Sequence, residues 1–137
     1  MAWIRNWFTN MALFDEPLVY QGIVFKTVEN FYQAMKVDKT NIAERQKIAA
    51  MDPYAAKRYA KTVQLRPDWD KIKLDVMLLA LKHKFATGTS WAAELAKHSE
   101  PIIEVNNWHD NFWGSCSCTR CGNKGLNHLG RLIETLR

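Results

Sequence analysis

A mainly α fold, one helical domain built around a single buried helix with a few short strands, is predicted by three features of the sequence. Stretches with apolar residues at i, i+3, i+4 and i+7 recur along the chain. One stretch, Val76-Met77-Leu78-Leu79-Ala80-Leu81, is apolar nearly all round and reads as a central helix covered on several sides. No repeat, low-complexity tract or Pro/Gly linker interrupts the 137 residues, so a single domain is expected.

Leu18 to Phe25 reads as two short strands turning at Gln21-Gly22. Val28 to Val37 follows with Val28, Phe31, Tyr32 and Met35 at helical spacing. Asn41 to Ala50 and Pro53 to Thr62 read as further helices, the second opened by an Asp52 cap and a proline in the first helical position. Arg66-Pro67-Asp68-Trp69 opens the longest helix, which runs to about Ala86, with Asp68 and Asp70 complementing its N-terminal dipole. Gly88 ends it, and Ser90 is placed to cap Trp91 to His98. Pro101 to Val105 reads as a strand, Trp108 to Gly125 as a loop, and Leu126 to Leu136 as the closing helix.

A chain of this length buries enough surface to fold without disulfides or metal. Lys plus Arg outnumber Asp plus Glu by 19 to 14, a net charge of +5, which favours an anionic partner. The charges are spread along the chain, so no nucleic-acid-binding tail is indicated. The opening Met1 to Phe8 lacks the apolar stretch of a signal peptide, and no window reaches the length of a membrane span. With three clustered Cys, an odd number, a disulfide framework is not expected and a cytoplasmic location is. Six Trp are many for so short a chain and read either as core or as walls for a flat ring.

Four patches carry polar groups that a plain helix bundle does not need. Glu29, Gln33 and Lys36 share one helix face, which is either a solvated surface or a site. Lys84, in Lys82-His83-Lys84-Phe85, is placed to hold a phosphate or simply to complement a helix C-terminus. Ile102 to Gly114 puts Glu104, Asp110, Trp108 and Trp113 in a loop rich in amides, a composition suited to a planar base and a sugar. Cys116, Cys118 and Cys121, at C-x-C-x-x-C spacing, offer three zinc ligands, the fourth having to come from His109, His128 or another group. With that set incomplete, zinc at Cys116, Cys118 and Cys121 stays open as an alternative, while the expectation is no cofactor and reduced loop cysteines.

In order and spacing, these segments resemble the NADAR (YbiA-like) family over nearly the whole chain. The matching motifs are Phe8-Thr9-Asn10-Met11, then Thr27-Val28-Glu29-Asn30-Phe31-Tyr32-Gln33-Ala34-Met35-Lys36, then Arg66-Pro67-Asp68-Trp69 and the helix from Met77 to Phe85. Asp110-Asn111-Phe112-Trp113-Gly114 and Gly125-Leu126-Asn127-His128-Leu129-Gly130 complete the pattern. Asn30 stands where the family commonly has His, Ala60-Lys61 where it has Gly-Arg, and Glu134-Thr135 where it has Met-Glu. The Cys cluster is found in part of the family, so zinc does not follow from the resemblance.

The resemblance implies one NADAR domain over residues 1–137 and hydrolysis of the C–N bond between a ribosyl group and a nitrogenous base. The substrates it implies are phosphorylated ribosylamino-pyrimidine intermediates of riboflavin synthesis or, alternatively, ADP-ribose on guanine in nucleic acid. A non-catalytic ADP-ribose or NAD-binding module is a further alternative. The resemblance implies Glu29 as the catalytic carboxylate and Asp110, Asn10, Trp69, Lys84, Trp113 and Asn127 as further site positions, with Asp110 expected as the second catalytic carboxylate and the rest as substrate-binding residues. The expectation attached to these assignments is that the two carboxylates serve one cavity walled by indoles.

Overall fold

The computed structural model describes residues 2, 3 and 8–137. The reading of the opening segment as free of a signal stretch falls mostly outside these residues. The element order is β1 (Ala2–Trp3), β2 (Leu13–Tyr20), β3 (Ile23–Thr27), α1 (Val28–Ala34), α2 (Ile42–Ala49) and α3 (Pro53–Tyr59). It continues with α4 (Trp69–Lys84), α5 (Ser90–Leu95), β4 (Ile102–Ile103), β5 (Val105–Asn106), β6 (Ser115–Cys116) and α6 (His128–Glu134). The fold is mainly helical, with only two-stranded ladders among the described residues. They form two compact units, one from Asn10 to Lys84 and the other from Phe85 to Arg137 with β1, Phe8 and Thr9.

In the first unit, β2 and β3 form an antiparallel hairpin whose turn residues Gln21 and Gly22 have φ of 54° and 72°. Two positive φ values in a two-residue turn match the right-handed twist of the flanking strands. On β3 the buried residues alternate, Ile23, Phe25 and Thr27 facing inward. Thr27 then caps α1, its hydroxyl accepting from Asn30 N at 3.0 Å. Every residue of α1 is buried, and it packs against β3, α2, α3 and α4. The buried central helix is therefore α1, whose sequence looks amphipathic. The apolar run in α4 is covered on one side only: Met77, Ala80 and Leu81 are buried, while Leu74 and Leu79 are exposed.

Polar side chains fix how these elements meet. Asn30 donates through Nδ2 to Ile48 O (3.0 Å) and Met51 O (2.8 Å), while its Oδ1 accepts from the Thr27 hydroxyl at 2.6 Å. The carbonyls at the end of α2 are thereby satisfied by α1. Arg45, 1% exposed, donates to Gln21 Oε1 (2.6 Å) and Val37 O (2.9 Å), tying the hairpin turn to the segment after α1. Burial lowers the Arg45 pKa. Asp52 caps α3 by accepting from Tyr54 N and Ala55 N, both at 3.0 Å.

In the second unit, Thr89 rather than Ser90 caps α5, accepting from Ala92 N at 3.0 Å. The strand expected over Pro101–Val105 is broken at Glu104: β4 pairs in parallel with β1, and β5 pairs in parallel with β6. Asn127, with φ 55° and ψ 41°, precedes α6 without capping it through its side chain. The first amides of α6 are instead taken by backbone carbonyls, His128 N by Phe112 O (3.1 Å) and Leu129 N by Trp113 O (2.9 Å). Asn127 N itself donates to Gly114 O at 3.1 Å. The Phe-Trp-Gly segment is thus the N-terminal cap of the last helix, which explains why these two motifs occur together. Gly114 can carry no side chain, because a Cβ there would collide with the carbonyl and carboxylate oxygens of Glu104. No helix among the described residues is long and apolar enough to cross a membrane.

Candidate functional site

In the first unit the candidate chemistry lies on α1. Glu29 is 7% exposed and Gln33 4%, and Gln33 Nε2 donates to Glu29 Oε1 at 2.7 Å. A carboxyl group buried to this degree is costly unless it is bonded. The Glu29 backbone N donates to Asn10 O at 3.0 Å, so Asn10 lies beside the first turn of α1. The amide of Asn10 reaches Met77 Sδ at 3.7 Å through Nδ2. Asn10 Oδ1 and Gln33 Oε1 are buried and have no hydrogen-bond partner among the described residues. Both oxygens are buried acceptors without a donor among the described residues, which a hydroxylated ligand could supply, and of the two side chains Gln33 is the one bonded to the Glu29 carboxyl group.

Lys36 lies one further turn along. Its Nζ sits 5.2 Å from the centre of the Tyr32 ring, and the Tyr32 and Trp69 rings meet edge to face at 5.1 Å. Burial lowers the Lys36 pKa, and the negative charge of Glu29 opposes that shift. Trp69 is buried at 5% exposure, so its indole is a supporting wall behind Tyr32. Lys84 is only 1% exposed, and burial pushes its pKa down to about 7. An anion brought to this amine would favour its protonated form. Arg66 is engaged by Asp68 at 2.7 and 3.1 Å, and Lys61 is exposed. A hollow of about 310 Å³ in this unit, bounded by Asp38, Glu44, Tyr59 and Arg66 among others, does not include Glu29.

In the second unit, Asp110 Oδ1 accepts from the backbone N of Phe112 (3.1 Å) and Trp113 (3.0 Å). That oxygen holds the turn. Asn106, which sequence reasoning missed, organises the approach to it. Its Oδ1 accepts from Trp108 N (3.2 Å) and Asp110 N (3.1 Å), and its Nδ2 donates to Asp110 O at 2.7 Å. Trp113 is half-buried and meets Phe112 edge to face at 4.9 Å. Both polar atoms of the Asn127 side chain are spent on β4 and its end, accepting from Glu104 N (2.9 Å) and donating to Ile102 O (2.8 Å).

The Cys segment closes on itself. His109 Nδ1 lies 3.3, 3.5 and 3.6 Å from the sulfurs of Cys121, Cys118 and Cys116. These four side chains form a set that could hold a zinc ion, with His109 as the candidate fourth ligand beside the three Cys. His128 is not part of it, since its ring packs on Phe112 at 4.5 Å.

The NADAR domain family model matches residues 2–137. An N-glycosidase of Nostoc punctiforme is 34% identical over 121 residues, covering 85% of this chain and 75% of that one. A chloroplastic riboflavin biosynthesis protein of Zea mays is 37% identical over 123 residues, which are 81% of this chain and 19% of that protein. The NMR structure of Escherichia coli YbiA aligns with a TM-score of 0.73 at 30% identity, over 95% of this chain and 74% of that chain. With a family model spanning the described helices and the Phe-Trp-Gly cap alike, and a relative matched over three quarters of its length, this chain belongs to the NADAR family.

Proposed function

We propose that this protein is an N-glycosidase that cleaves the bond between a ribosyl group and a nitrogenous base. The observation that carries this reading is the α1 constellation: a buried carboxyl group at Glu29, held by Gln33 at 2.7 Å, with buried amide oxygens on Gln33 and on Asn10 that have no donor among the described residues. A ribose offers hydroxyl donors to such oxygens. The names of the relatives, N-glycosidases and a riboflavin biosynthesis protein, support the same class. The substrate proposed is a phosphorylated ribosylamino-pyrimidine of riboflavin synthesis.

In the reaction the C1′–N bond breaks and the base leaves with the electron pair, taking up a proton. Positive charge grows at C1′, and a water oxygen forms the new C1′–O bond. Glu29 takes the proton of that water, and Asp110 is proposed as the second carboxylate, stabilising the developing charge. Asn10 accepts from a sugar hydroxyl, Trp113 walls the base, and Trp69 backs Tyr32. Lys84 holds the phosphate, whose charge would keep the amine protonated.

The test is to incubate the protein with a ribosylamino-pyrimidine phosphate and, separately, with DNA carrying ADP-ribosylated guanine, and to measure released base by mass spectrometry. Release from the first and a loss of about 10²- to 10⁴-fold in the Glu29→Gln variant are expected. Release only from DNA moves the substrate to nucleic acid. Ligand-dependent thermal stabilisation with no released base makes the protein a binding module.

A further inference from the structure

We infer that His109, Cys116, Cys118 and Cys121 bind one structural zinc ion that braces the loop carrying Asp110 and the cap of α6. Four ligand atoms, one nitrogen and three sulfurs, all lie within 4.8 Å of one another. Zinc bond lengths of about 2.0 Å to nitrogen and 2.3 Å to sulfur, at tetrahedral angles, place those ligands roughly 3.5 Å apart for N···S. The distances from His109 Nδ1 to the sulfurs, 3.3, 3.5 and 3.6 Å, are those of a tetrahedral edge.

The surrounding backbone is shaped for this purpose. Cys121 N donates to Cys118 Sγ at 3.3 Å, and Gly122 N donates to Cys118 O at 2.8 Å, a tight knuckle that stabilises a thiolate at Cys118. His109 adopts φ 68°, a conformation unusual for a side-chain-bearing residue, and this turns its ring onto the cluster. Cys116 is held from the other side, where its N donates to Asn111 Oδ1 at 2.8 Å and its O accepts from Asn123 N at 3.0 Å. Four protein ligands fill the coordination of zinc, so the ion is structural and leaves no position for a reacting water. Binding takes all three sulfurs as thiolates and leaves one net negative charge on the centre.

One contact must change on binding. Arg120 Nη2 lies 3.2 Å from His109 Nε2, and a guanidinium only donates, so Nε2 is the acceptor there. Metal on Nδ1 puts the ring proton on Nε2, and the exposed Arg120 side chain must then turn away.

The inference is independent of the proposed activity and is tested without it. The full-length protein, purified under reducing conditions and reconstituted with zinc, is measured for metal by mass spectrometry and, after exchange, for its cobalt(II) spectrum. One metal per chain is expected, with the intense visible bands of a tetrahedral site and a thiolate charge-transfer band. Cys118→Ser and His109→Ala are each expected to weaken zinc binding by at least about 100-fold. A chelator should lower the wild-type melting temperature and raise amide exchange over residues 106–125. Wild-type protein that takes up no zinc, an octahedral cobalt spectrum, or full zinc binding by a Cys116/Cys118/Cys121 triple serine variant would each overturn the inference.

Discussion

Glu29 and Asp110 are positioned by opposite means. Glu29 sits on a helix with no solvent-facing side, whose place is set by apolar burial and whose register is set by Asn30. Asp110 sits in a loop with almost no apolar core of its own, shaped by the side chains of Asn106, Asn111 and Asn127. Burial of an apolar side chain contributes about 1.5–3 kcal/mol and tolerates small shifts. A hydrogen-bonded loop gains less for each contact and depends on every one. A buried helix can therefore present a carboxylate through its packing, whereas a loop presenting one gains from a cross-link, which the proposed zinc centre would supply.

Four substitutions test how differently the helix and the loop are held. The largest effect is expected at Gly114→Ala, where the added methyl must displace Glu104 and disturb the carbonyls that cap α6. A loss of about 3 kcal/mol is expected in denaturant unfolding, and an unchanged midpoint would show the loop to be pliable. Asn30→Ala leaves Ile48 O and Met51 O without their donor. It should cost about 2 kcal/mol, and a negligible loss would mean that α1 is held by apolar packing alone.

The third effect concerns pH. The ordinary Lys84 value of 10.5 is pushed down to about 7 by burial, so between these values the unfolded chain binds more protons than the folded one. Stability is therefore expected to rise with pH across that window, by at most about 1.4 kcal/mol per pH unit from this group. Lys84→Met should flatten the rise, and an unchanged slope would place the titration elsewhere. The smallest effect is expected at Arg120→Ala, which removes a competitor for the His109 ring and should strengthen zinc binding by less than about 1 kcal/mol in a competition assay.

The parts of the fold legible in the sequence are those set by local chemistry. Asp52-Pro53 announces α3 because capping involves neighbours in sequence, and Gln21-Gly22 announces the hairpin for the same reason. The start of β2 was not legible: Asp15, Glu16 and Pro17 are poor strand residues, and the pairing shifts between Leu13 and Leu18. Nor was β6, since a two-residue ladder has no period to detect. The apolar run in α4 suggested the most covered helix, yet coverage depends on neighbours, which a period does not name. At the site, spacing put Glu29, Gln33 and Lys36 on one face, but only packing shows that the face is buried. The choice between His109 and His128 as fourth ligand was likewise invisible, because it turns on the positive φ at His109.

Asn30 has a consequence for sequence drift within the family. Its amide hydrogens serve two carbonyls while its oxygen serves a hydroxyl. A neutral imidazole offers one donor and one acceptor, so a histidine at this position would strand one of the two carbonyls. Members with histidine here should therefore differ together at the residues matching Thr27 and 48–51, making this small group a covarying unit that an alignment could expose.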